Sequence, residues 1–181
     1  MKLPEGDVVA SRVLDDHERA LRAAFDERLT GYLVLEPSAT LLLDDDGAGV
    51  LTVRDGVPVL ASHTGTERGG ADALADLAGP GPVKAERRAV DPTDLAAVHD
   101  ADGADALAVA PGEPARVLTG DRDLAAAARD RAPDDHPGHD AGDDPLESFL
   151  ENENRVEQLR EDARAEAERR AEEWGFVDEL S

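Results

Sequence analysis

Residues 31–81 read GYLVLEPSATLLLDDDGAGVLTVRDGVPVLASHTGTERGGADALADLAGPG, and their reading decides the fold. Tyr32, Val34 and Glu36 interleave with Leu33 and Leu35 and predict a strand, and after the Pro37-Ser38 break Thr40-Leu41-Leu42-Leu43 predicts another. A polar turn, Asp44-Asp45-Asp46-Gly47, leads to a third strand over residues 49–54 with β-branched Val50, Thr52 and Val53. Asp55-Gly56, flanked by VLTVR and VPVLA, fits a two-residue type I′ hairpin turn, whose backbone twist matches that of paired strands. Pro58 has no amide hydrogen to give a ladder, so the strand it occupies is expected to sit at a sheet edge or to turn that position outward. Beyond Gly69-Gly70 a helix is expected, with Ala71, Leu74, Leu77 and Ala78 on one stripe and Gly79-Pro80-Gly81-Pro82 as its stop. Val83 to Val90 alternates small apolar with charged residues, the pattern of a half-exposed strand.

Working outward towards the N-terminus, a short strand is expected over residues 3–9, followed by a helix over 15–29. Leu14, Leu21, Phe25 and Leu29 mark one face of that helix, and Asp15 and Asp16 place negative charge at its positive end. Phe25 reads as core, and His17 falls on the opposite, charged side. Towards the C-terminus, Asp91-Pro92 starts a helix that runs to about residue 100 and buries Leu95 and Val98. Leu107-Ala108-Val109 reads as a strand returning to the sheet, Pro111-Gly112-Glu113-Pro114 as a break, and residues 122–131 as an alanine-rich helix. Residues 133–145, PDDHPGHDAGDDP, lack large apolar side chains and read as a disordered acidic linker. Residues 146–174 then carry an uninterrupted helical pattern, whose stripe includes Phe149, Leu150, Val156, Leu159 and Trp174. The expected organisation is an α+β domain over 1–132, an antiparallel β-meander with helices packed on it, then the linker over 133–145 and a C-terminal amphipathic helix over 146–181.

Composition narrows the setting. Asp and Glu number 42 against 19 Lys and Arg, a formal charge of −23, and Lys2 and Lys84 are the only lysines. Such self-repulsion opposes a compact chain in dilute buffer, whereas at molar salt the screening length shrinks to about 3 Å. The composition therefore points to the salt-filled cytoplasm of an extreme halophile. Cysteine is absent, which excludes disulfides, zinc-thiolate sites and a thiol nucleophile. No apolar run approaches the ~20 residues that cross a bilayer, and no signal sequence is evident, so a cytoplasmic protein without membrane contact is expected. Nucleic acid is not an expected partner, because phosphate binding requires a basic patch. The local cluster Glu86-Arg87-Arg88 reads as a neutralised strand face.

The segments GYLVL, GVLTVRDGVPVLA, GGADALADL and GPVKAE, in this order, resemble the small α+β domain of PATAN-type regulators and related archaeal families of unknown function. The opening Lys2-Leu3-Pro4-Glu5-Gly6 is similar to that of uncharacterised haloarchaeal proteins. The match covers roughly residues 1–90 and rests on turn and packing motifs. It implies a binding or signalling module rather than an enzyme; the C-terminal half resembles no known effector or receiver domain.

Three stretches could carry chemistry. Gly65-Thr66-Glu67-Arg68-Gly69-Gly70 leads into a helix and resembles a phosphate cradle, because helix N-terminal amides favour anions. It lacks the Lys-Ser/Thr of a P-loop, and a plain glycine-rich connection accounts for it better. Ser62 and His63 are adjacent on a strand and point to opposite faces, which separates nucleophile from base. His136 and His139, with Asp134, Asp135 and Asp140, offer metal ligands but no element to fix them, and Asp44-Asp45-Asp46 lacks the spacing and closing Glu of an EF-hand. No catalytic residue, metal or cofactor is expected. The expected role is a non-enzymatic regulatory or protein-interaction module, with a partner protein or self-association through the C-terminal stripe; a small-ligand or anion-binding domain, or an enzyme, using the 65–70 loop is the alternative.

Overall fold

The strands Gly49–Arg54 and Val57–His63 are joined by Asp55 and Gly56 alone, with Arg54 opposite Val57. Both turn residues have positive φ, 52° and 82°, the type I′ geometry that the Asp-Gly pair predicts. Gly56 is required twice over. Besides its φ, a Cβ there would lie 2.8 Å from Phe25 Cα, because the hairpin tip packs directly on the end of a helix and Gly56 N donates to Leu29 O at 2.8 Å.

The computed structural model describes residues 1–37 and 47–138. In chain order these form β1 (Asp7–Leu14), α1 (His17–Asp26), β2 (Gly31–Pro37), β3 (Gly49–Arg54), β4 (Val57–His63), α2 (Gly70–Leu77), β5 (Val83–Ala89) and α3 (Pro92–His99). A 3-10 turn (Ala104–Leu107), α4 (Glu113–Thr119) and α5 (Arg122–Arg131) complete them. The five strands make one antiparallel sheet in the order β1-β5-β2-β3-β4. The fold is α+β, and β2-β3-β4 is the expected meander.

Strand alternation sends side chains to two covered faces. One bears Leu33, Leu35, Leu51, Val53, Val83 and Ala85, packed against α1, α2, α4 and α5 through Leu21, Leu74, Leu77, Leu118 and Leu124. The other presents Tyr32 and Val50 to Val90 and to Leu95 of α3, with Leu60 and Val59 beneath Ala104 and Leu107 beside them. Burying an aliphatic side chain of this kind contributes about 1.5–3 kcal/mol, so both faces hold the sheet.

Several sequence expectations are corrected. β1 occupies residues 7–14 rather than 3–9, and α1 stops at Asp26 because Arg28 takes a φ of 51°, outside the helical range. The buried stripe of α1 is His17, Ala20, Leu21 and Ala24, a run of i, i+3, i+4, i+7; His17, expected in solvent, is 3% exposed. In α2 the stripe is Ala73, Leu74 and Leu77, leaving Ala71 and Ala78 exposed. Glu113 and Pro114, read as the end of a break, instead begin α4, for which Pro114 serves in the first turn, where its missing amide hydrogen costs nothing. Residues 107–109 make a single bridge, Leu60 with Ala108, and one bond from Val109 N to Val59 O at 3.0 Å, rather than a strand. Residues 133–138, assigned to the linker, pack on the domain: His136 is 4% exposed, and Gly138 lies so close to Val109 O that a Cβ would approach it to 2.0 Å. The second strand expected at residues 40–43, the aspartates 44–46 and the C-terminal helix with Phe149, Leu150, Val156, Leu159 and Trp174 lie outside the described residues.

Candidate functional site

The 65–70 loop is assembled as a closed connection between β4 and α2. His63 N donates to Arg68 O at 2.9 Å and Ser62 bridges Gly69, so Gly65, Thr66, Arg68, Gly69 and Gly70 do come together. His63 Nδ1 accepts from Thr66 N at 3.2 Å and thereby caps the turn. Thr66 Oγ1 donates to Asp76 Oδ2 at 2.6 Å, and Arg68 pairs with Asp76 Oδ1 at 3.2 Å. The hydroxyl and the cation that an anion would use thus converge on a carboxylate of the chain itself. Gly69 and Gly70 are backed by Leu107 and Ala106 O, at distances that leave no room for a Cβ on Gly69.

A second polar cluster lies on the α3 side of the sheet. Thr52 is fully buried, and its Oγ1 accepts from Leu60 N at 3.1 Å and meets His99 Nε2 at 2.9 Å. Its place follows from an irregularity: partners shift from Thr52–Leu60 to Val53–Pro58, so Val59 is an extra residue and Leu60 N relies on a side chain. Beside it Arg54 forks onto Asp135 at 3.1 and 3.5 Å. His136 Nε2 donates to Pro58 O at 2.7 Å while Nδ1 accepts from Gly138 N at 3.1 Å, which fixes the neutral tautomer. Burial lowers the pKa of His99 below the ordinary 6.5, and the Arg54 charge adds to this, partly offset by Asp100. Thr52 and His136 are buried among their own partners, His99 is half-buried, and the Asp135 carboxylate is exposed and held by Arg54. The cluster straps residues 133–138 across β4, and the sequence concealed it because PDDHPG reads as a solvated stretch. Asp135 and His136, two of the metal-ligand candidates, are engaged there; His139 and Asp140 lie outside the described residues.

The charged strand face is internally neutralised as expected. Arg87 meets Glu27 at 2.6 Å, Arg88 meets Glu86 at 2.5 Å, and Lys84 meets Glu36 at 2.9 Å. A groove of about 550 Å³ between the N-terminal residues, α3 and the 3-10 turn is mainly apolar, with Lys2 and Asp102 as its charged walls.

The remaining feature is β1. Val8, Val9 and Val13 are 53%, 48% and 68% exposed, and with Met1 they are the large hydrophobic side chains that stand in solvent among the described residues. Within those residues β1 pairs with β5 alone, so its outer edge carries no ladder. Among the described residues no helix is long and apolar enough to cross a membrane.

No curated protein and no solved structure matches the chain. A family model does match residues 2–176, nearly its whole length, and the chain therefore belongs to the family described as Domain of unknown function (DUF8572).

Proposed function

We propose that the chain is a non-enzymatic regulatory or protein-interaction module of a halophilic, salt-rich cytoplasm. The observation that carries this reading is the contrast between β1 and the polar groups. The hydroxyls, imidazoles and guanidinium groups of the 65–70 loop and of the cluster around Thr52 are bonded within the chain, whereas three valines and a backbone edge of β1 face solvent. An unpaired edge is a template for another strand, the recognition mode in which main-chain bonds give affinity and alternate side chains give selectivity. The resemblance of residues 1–90 to PATAN-type regulatory domains and to haloarchaeal proteins supports the same role, and the charge of −23 supports the saline setting and disfavours nucleic acid. An anion or small ligand at the 65–70 loop is the second reading, and the engagement of Thr66 and Arg68 by Asp76 weighs against it. The C-terminal stripe of Phe149, Leu150, Val156, Leu159 and Trp174 remains part of the proposed contact surface on its sequence pattern.

Capture experiments in molar salt test the role. The tagged chain should retain a protein ligand that Val13→Lys, a charge on the open edge, releases. Equal recovery by both forms in a native lysate would remove β1 from the interaction surface.

A further inference from the structure

We infer that the protein occupying the β1 edge is a second copy of this chain, paired antiparallel about a two-fold axis through Ser11. The inference rests on the interaction reading above and names its partner. Three observations carry it.

The first is charge. In a chain of net charge −23, β1 holds one acid, Asp7, and one base, Arg12, and is locally neutral. Within the strand itself a second copy therefore adds no net charge, and the acids that flank it, Glu5, Asp15 and Asp16, are screened at molar salt.

The second is register. β1 departs from regular pairing at Val9, because Val8 faces Arg88 and Ala10 faces Arg87. Val8, Ser11 and Val13, opposite Arg88, Glu86 and Lys84, therefore lie on one face, while Asp7, Ala10, Arg12 and Leu14 lie on the other. With the axis through Ser11, and Val9 an extra residue in each copy, Val13 comes opposite Val8 of the second copy, Arg12 opposite Ala10, and Leu14 opposite Asp7. Every pair then joins residues of one face, as an antiparallel ladder requires. The two exposed valines of that face cover each other at both ends.

The third is complementarity on the opposite face. Asp7 falls diagonal to Arg12 of the second copy, within reach of a long side chain, and the two-fold repeats this ion pair. Neither Asp7 nor Arg12 has an ion-pair partner among the described residues.

Light scattering of the full chain in molar potassium chloride, across a concentration series, tests the pairing. A mass approaching twice the 19.2 kDa of one chain is expected. Val13→Lys and, separately, Arg12→Glu should halve that mass with an unchanged circular dichroism spectrum, since both side chains are outside the core. Asp7→Arg combined with Arg12→Glu exchanges the charges and should restore the dimer. A parent that stays monomeric throughout, or a dimer that survives both single substitutions, overturns the inference. If the parent is monomeric but capture of another protein still depends on Val13, the second copy is wrong and the interaction module stands; if that dependence is absent too, both fall.

Discussion

His17 sits in an environment that conflicts with its chemistry. It lies in the buried stripe of α1 with Nε2 lacking a hydrogen-bond partner among the described residues, and burial lowers its pKa below 6.5, with Asp16 pulling the other way. The unfolded chain therefore binds this proton more readily than the folded one. Between the lowered folded value and 6.5, stability must rise with pH; it is complete above 6.5 and lost on acidification. His99 acts in the same direction. Melting curves at constant molar salt should show a lower Tm at pH 5.5 than at 7.5, before most carboxylates titrate, and His17→Met should flatten that difference. At Gly56 the demand is geometric instead: Gly56→Val must accept a φ of 82° and push against Phe25, so a loss of more than ~1 kcal/mol is expected by urea titration. A variant that unfolds with the parent would remove the turn from the determinants of the hairpin.

Among the elements, β4 shows how an edge strand is closed. Pro58 withholds a donor, Val59 is bulged out, Val109 N bonds Val59 O, and His136 bonds Pro58 O. Thr52 makes the bulge tolerable. Thr52→Val would leave Leu60 N and His99 Nε2 without their partner in a buried site, and a cost of about 1–3 kcal/mol is expected for such an orphaned group, measured by urea titration. The turn, the meander and the edge position of Pro58 were legible in the sequence because each depends on a local rule of backbone geometry. So were the cap at Asp91 and the start at Pro92, where Asp91 accepts from Thr93 N. The strap was not legible. Its anchor is a histidine in a polar stretch whose partner lies 78 positions away, and no local periodicity records such a bond. The stripe of α1 was displaced for a related reason: Leu14 and Leu29 are apolar residues outside the helix, so their spacing pointed to a face the helix does not bury. At the candidate site, the glycine loop was visible as a turn, but Asp76 was not, because its role arises only when α2 folds back over Thr66 and Arg68.

For the whole molecule, the charge of −23 is expected to make the fold depend on salt. Ion pairs such as Arg22–Asp121, which ties α1 to α5, and Arg28–Asp55 offset it only locally. Transfer from molar salt to about 10 mM, where the screening length reaches ~30 Å, should lower Tm markedly or unfold the chain. Circular dichroism along a salt series checks this, and a constant Tm would exclude a halophilic adaptation. The unequal treatment of the two sheet edges has a different consequence. With β4 closed and β1 open, the sheet behaves as a monofunctional monomer in the polymer chemist's sense. If two copies join through β1 as proposed, no open edge is left among the described residues, and edge-to-edge growth of this sheet is expected to end at the first step.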